Sequence, residues 1–143
     1  MKMKLDSFEL RTKNEFDMIN ITERVHKFVE ESGVNEGMVY VMTAHTTTSI
    51  IVNESLPCLE TDIEEKLEEM VPKDAQYAHN HFLPSYGATG GNCPGHLKSM
   101  LCNYFAYFPV KDGKVVRGRA QEIYFAEFDG IQDRTVYMQV VGE

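Results

Sequence analysis

Met38-Val39-Tyr40-Val41-Met42 and Ile50-Ile51-Val52 are two continuous apolar runs rich in β-formers, separated by His45-Thr46-Thr47-Thr48-Ser49 and followed by Asn53-Glu54. Both runs predict buried strands. A hairpin joining them puts His45 and the hydroxyls at strand ends, where a rigid sheet positions whatever a loop presents. Such groups can bind a metal or a phosphate, or move a proton. Glu54 closes the second strand, and Ser55 is placed to cap a following helix.

Outward from this stretch, the 143 residues predict a single domain spanning 1–143, long enough to remove about 70% of its unfolded surface from water. The formal net charge of −8 argues against broad nucleic-acid binding, whose phosphates demand a basic footprint. Three cysteines, at 58, 93 and 102, are an odd number without paired spacing and suit a reducing, cytoplasmic compartment. No apolar run approaches the roughly 20 residues that cross a bilayer, and the charged N-terminus is unlike a signal peptide, so no membrane partner is expected.

Lys4 to Arg11 alternates in part and predicts an amphipathic or edge strand. Asn20 with Glu23 fits a capping box. Ile21, Val25, Phe28 and Val29 then form one helical stripe, which Gly33 ends in a left-handed cap. His26 lies one step off that stripe and reads as a surface histidine. Leu59, Ile63, Leu67 and Met70 mark a second helix from about Ser55 to Met70. Most of its acids read as a solvated face, but Asp62 falls beside the stripe, where a carboxylate needs a partner. It is read either as a structural hydrogen bond or as part of a site.

Pro72 ends that helix, and a long irregular passage runs from Gln76 to Pro94. Long loops without structure usually carry function. On an extended segment His79 and His81 share a side, as a metal pair would. Asn92-Cys93-Pro94-Gly95-His96-Leu97-Lys98 reads as loop to helix start, with outward backbone N–H groups flanked by His96 and Lys98, an anion site. Leu97, Leu101 and Tyr104 or Phe105 continue that helix inward. Asp112-Gly113 signals a hairpin. Arg117 and Arg119 share a strand face. Gln121, Ile123, Phe125 and Glu127 point one way on the next strand, so Glu127 shares a face with apolar residues. Thr135 to Val141 is the last strand, its buried side carrying Arg134, Val136, Met138 and Val140.

His45-Thr46-Thr47, Asn53-Glu54, His96-Leu97-Lys98 and Gln121-Glu122-Ile123-Tyr124 with Glu127-Phe128-Asp129-Gly130, in this order and spacing, resemble the YjbQ-like family, also called secondary thiamine-phosphate synthases. The resemblance covers nearly the full length. It departs from the common family pattern at Ala120, where many members have Trp, and at Tyr86 to Gly91, where many have an acidic, glycine-rich passage. It implies an α+β fold, with mixed, largely antiparallel β-sheets packed with about three helices in one domain, assembled as a homotrimer. It also implies a polar site containing His45, His79 and His96.

The reaction attributed to the family joins a pyrimidine methyl diphosphate to a thiazole phosphate and releases diphosphate. That chemistry asks for neutralisation of the departing charge and for mutual positioning of the reactants. On this basis His45, His79 and His96 are expected to hold a divalent metal. Three imidazoles favour zinc or another transition metal over magnesium. Thr46, Thr47, Asn53, Lys98 and Gln121 are the expected phosphate and substrate contacts, and Glu54, Asp62 and Glu127 the bases or orienting carboxylates. The leading expectation is a metal-assisted enzyme acting on a small phosphorylated substrate, with thiamine-phosphate synthesis as a possibly secondary activity. Two others stand beside it: a non-catalytic metal or small-ligand binding module, and a structural cluster of acids and histidines.

Overall fold

The computed structural model describes residues 1–80, 82–83, 87–88 and 90–143. His81, Pro84, Ser85, Tyr86 and Thr89 lie outside the described residues, and with them the expected pairing of His81 with His79. In chain order the elements are β1 (Lys2–Arg11), β2 (Asp17–Asn20), α1 (Thr22–Ser32), β3 (Glu36–Thr43), β4 (Thr48–Asn53), α2 (Pro57–Met70), β5 (Phe82–Leu83), β6 (Gly87–Ala88), α3 (Cys93–Cys102), β7 (Phe105–Lys111), β8 (Lys114–Val115), β9 (Glu122–Glu127) and β10 (Asp133–Gly142). A single 3-10 turn, Ala78–Asn80, precedes β5.

The class is α+β. One sheet has the order β1-β10-β3-β7-β8, a second β2-β9-β4, and β5 and β6 form a small ribbon. Every ladder among the described residues is antiparallel. The main core lies between the two larger sheets and α1, joining Val39, Val41, Phe108, Val136 and Val140 to Ile50, Ile123 and Phe125 and to Val25, Phe28 and Val29. On the other face of the small sheet, Ala126 and Phe128 pack with Ile51 against Ile63 and Leu67 of α2. This sheet is covered on both sides, which explains the unbroken apolar runs Ile50-Ile51-Val52 and Ile123-Tyr124-Phe125-Ala126.

The hairpin expected between β3 and β4 does not form. β3 pairs with β10 and β7, whereas β4 pairs with β9. The chain crosses at Ala44–Thr47 from one sheet to the other, and Thr43 Oγ1 and Thr48 Oγ1 are bonded at 2.6 Å across the base of the crossing. The two apolar runs face each other through the core instead of lying side by side. Only the second run is covered on both faces; β3, expected to be buried throughout, alternates, with Val39 and Val41 in the core and Tyr40 exposed. By contrast, Asp112 and Gly113 make the expected two-residue turn between β7 and β8, with φ of 52° and 75°. That is the pair of positive values a primed turn requires.

α1 and α2 end where expected but begin differently. Gly33 ends α1 at φ 76°, but no capping box forms, since Asn20 Oδ1 accepts from the Thr22 amide and Glu23 is exposed. Ser55 does not cap α2; Leu56 is the cap position, Pro57 opens the helix, and the Ser55 hydroxyl meets the Tyr124 hydroxyl at 2.7 Å. Met70 and Asp62 are exposed, so Asp62 is a solvated residue rather than a buried acid.

In α3 the expected inward row of Leu97, Leu101 and Tyr104 is replaced. Leu101 and Tyr104 are about half exposed, at 50% and 56%, and the buried positions are Pro94, Gly95 and Ser99. Small residues let the helix sit close on β4 and on Phe128, just past β9. The Ser99 hydroxyl donates to the Thr48 carbonyl at 2.6 Å, and the Ser49 hydroxyl donates to the carbonyls of Cys102 and Asn103. A Cβ at Gly95 would meet the Phe128 carbonyl oxygen at 3.2 Å and Thr47 at 3.3 Å. Gly95→Ala should therefore cost about 1–3 kcal/mol through overpacking, read as a lower urea midpoint at unchanged slope.

Candidate functional site

The site is built around an ion pair. Glu127 on β9 is fully buried and Arg134 on β10 is 8% exposed. Arg134 Nε and Nη2 donate to Glu127 Oε1 and Oε2 at 2.8 and 2.6 Å. The carboxylate also accepts from the Thr12 hydroxyl at 2.9 Å and the Asp129 amide at 3.2 Å, and Arg134 Nη2 donates to Thr47 Oγ1 at 2.8 Å. Both charges are satisfied, as burial requires. Glu127 is thus committed to Arg134 and cannot reach a substrate, and Thr47 is held as an acceptor under the crossing loop.

That clamp fixes the residue beside it. The Thr135 amide donates to His45 Nε2 at 2.8 Å, and the Ala44 amide donates to the Thr135 carbonyl at 3.2 Å. His45 is tied down twice through its loop. Burial, then the nearby Arg134 charge, push its pKa below the ordinary 6.5, with Glu127 acting in the opposite direction. The resting ring is neutral.

His45 and Thr46 line a cleft of about 580 Å³ with His96, Ser99, Met100, Asn103 and Tyr104. His96 reaches it from the first turn of α3. His79, from the 3-10 turn, stacks obliquely beside His96 with ring centroids 4.9 Å apart. The turn is attached to the helix start, where Asn80 Oδ1 accepts from the Cys93 amide at 3.3 Å. His79 Nδ1 is buried without a partner among the described residues. An orphaned buried donor or acceptor is costly and points to a missing ligand atom or water. Asn103, on the rim, holds φ 73° and ψ 161°, a conformation nearly confined to glycine that costs about 1–3 kcal/mol and concentrates at functional sites.

The expected anion site at the start of α3 is not there. The Cys93 amide is taken by Asn80, Pro94 has none, and the amides of Gly95 and His96 donate to the Asn92 carbonyl at 3.0 and 3.4 Å. Lys98 is turned away as well. Residues two apart on a helix face opposite sides, so His96 faces the histidine cleft and Lys98 a separate acidic one, where it pairs with Glu68 at 2.9 Å. Hydrogen bonding to Lys98 holds the Glu68 carboxyl below its ordinary range.

Of the other expected residues, Asn53, Glu54 and Asp62 are exposed on β4 and the α2 region, outside the cleft. Gln121 braces its own turn, accepting from the Gly118 amide at 2.7 Å. Arg134, Thr135, Asn103 and Tyr104 take part without having been singled out for a site. Arg134 alone had a signal, a cation in the buried register of an apolar strand, to be matched with Glu127.

A three-histidine metal centre does not fit this chain's donors. His45 Nε2 spends its lone pair on the Thr135 amide, leaving the proton on Nδ1. Among the described residues no group of three or more His, Cys, Asp or Glu is arranged to hold a metal ion. His79 and His96 remain as an adjacent pair.

Two outcomes follow. Glu127→Ala strands the Arg134 charge in the interior and should cost about 3–5 kcal/mol, measured by chemical denaturation. His45 is held neutral in the folded state, so the unfolded chain takes up its proton first. Its contribution is present above about pH 6.5 and lost as pH falls through the lowered folded value. Urea midpoints should decline from pH 7 to 5, and less steeply in His45→Asn.

The comparisons agree with this architecture. A family model described as "UPF0047 protein YjbQ-like" matches residues 6–143. A UPF0047 protein of Methanothermobacter thermautotrophicus is 35% identical over all of this chain and 95% of its own, and YugU of Bacillus subtilis is 31% identical over 96% and 99%. Among solved structures, a YbjQ-like protein of unknown function from Sulfolobus solfataricus superposes with TM-score 0.91 at 31% identity, covering 99% of each chain. A Clostridium acetobutylicum member of the yjbq/upf0047 family gives 0.86 at 36%, covering 95% of this chain and 99% of that one. The chain belongs to the YjbQ-like UPF0047 family.

Proposed function

We propose that this protein is a histidine-centred enzyme acting on a small phosphorylated molecule, with thiamine-phosphate synthesis as the candidate activity. One observation carries the reading: three imidazoles from three separate segments gather at one cleft, His45 and His96 lining it and His79 stacked on His96. Imidazoles are the side chains best matched to proton transfer near neutral pH. The unpartnered His79 Nδ1 and the strained Asn103 add to it. In this reading the thiazole nitrogen bonds the pyrimidine methylene as its C–O bond to diphosphate breaks, His96 and His79 donate hydrogen bonds to the departing diphosphate, and His45 and Thr46 orient the substrate. No step is assigned to a metal.

A binding module without turnover is the second reading. It is favoured by the lack of free cationic groups at the cleft among the described residues, since Lys98 and the amides of the α3 start are already engaged. The proposed assembly is a homotrimer. Its support is the row of half-exposed tyrosines Tyr40, Tyr104, Tyr107 and Tyr137, at 37–58% exposure, on or beside the larger sheet. Three unpaired thiols suit the proposed cytoplasmic location. Among the described residues no helix is long and apolar enough to cross a membrane.

The test is diphosphate release from the two thiamine precursors by the purified protein. Turnover should fall about 100-fold or more in His96→Ala with folding intact. Saturable binding of either precursor without release selects the binding module, and equal turnover in the variant removes the histidine mechanism.

A further inference from the structure

We infer that His45 serves the cleft as a neutral imidazole donating its Nδ1–H to an acceptor oxygen of the bound molecule, and not as a metal ligand or general base. This deepens the proposed function and rests on it for the ligand's chemistry. The argument begins with the Thr135 amide, 2.8 Å from His45 Nε2. A backbone amide can only donate, so Nε2 must present its lone pair, and the single proton of a neutral imidazole then sits on Nδ1.

The amide cannot turn away. Thr135 lies within β10, its carbonyl accepts from Ala44, and the preceding Arg134 is clamped to Glu127 and Thr47. The His45 amide in turn donates to Thr43 Oγ1 at 3.3 Å. Backbone and ring are thus held from both sides, which makes the ring a preorganised donor rather than a mobile one.

Nδ1 has no protein partner among the described residues and is not a buried unsatisfied atom, so it is accessible on a ring that lines the cleft. The same cleft is lined by His96 and by the largely apolar Met100 and Tyr104, exposed at 72% and 56%. The occupant this surface suits has an apolar body and one acceptor oxygen directed at His45. A protonated His45 would lose the Thr135 bond, so the donor works as a neutral group, a device also suited to polarising a carbonyl.

The experiment is long-range proton–nitrogen correlation on histidine-labelled intact protein at pH 7.5, with inorganic phosphate as the probe. The expected result is an Nδ1–H tautomer at His45, and a shift of that nitrogen and its proton on adding phosphate. An Nε2–H tautomer overturns the inference, as does phosphate that leaves His45 Nδ1 unmoved, whether or not other cleft signals respond. Zinc that coordinates His45 directly also overturns it. The tautomer is read on resting protein, so absent turnover with the thiamine precursors sinks the proposed activity while leaving this assignment standing. A His45→Leu control, which keeps the ring's volume but no donor, should lose the phosphate response of the cleft.

Discussion

The Glu127–Arg134 pair is the interaction on which the rest of the site depends. Two opposite charges in an apolar interior are tolerable only when every lone pair and N–H is matched, and here the partners come from four places. Thr12 follows β1, Glu127 ends β9, Arg134 begins β10 and Thr47 belongs to the crossing between sheets. Satisfying the pair therefore joins both sheets at one end of the core. It also sets the loop that carries His45, because the next amide along β10 is the one the imidazole accepts.

α3 is the second organising element, and its small residues matter more than its large ones. Gly95 and Ser99 bring the helix onto β4, Thr47 and Phe128, and this close approach carries His96 to the crossing loop. The helical period then separates two functions that adjacency in sequence had merged. His96 looks into the histidine cleft, while Lys98 joins Glu68 on the far side. The larger apolar residues of α3, Met100 and Leu101, are left outward.

Much of the fold was legible because it depends on local period and turn chemistry. The alternation in β10, the left-handed Gly33 and the Asp112-Gly113 turn are all properties of short segments, and the structure has each of them. The misread parts are those that depend on what lies across the core. An apolar run says that a strand is covered, not by which sheet, so β3 and β4 looked like a hairpin. Asp62 looked buried and the α3 start looked open, because a stripe's edge and an amide's partner are set by elements far away in the chain.

By itself the sequence determined the α+β class, the positions of the helices and main strands, the candidate histidines, and the burial of Glu127 and Arg134 on apolar strand faces. Tertiary structure alone decided that His45 and His96 line one cleft with His79 stacked beside His96, that Lys98 does not join them, and that Glu127 is spent on Arg134. The physical reason is range. Period and capping act over a few residues, whereas a hydrogen bond such as that from Thr135 to His45 joins atoms 90 residues apart, and only packing brings those together.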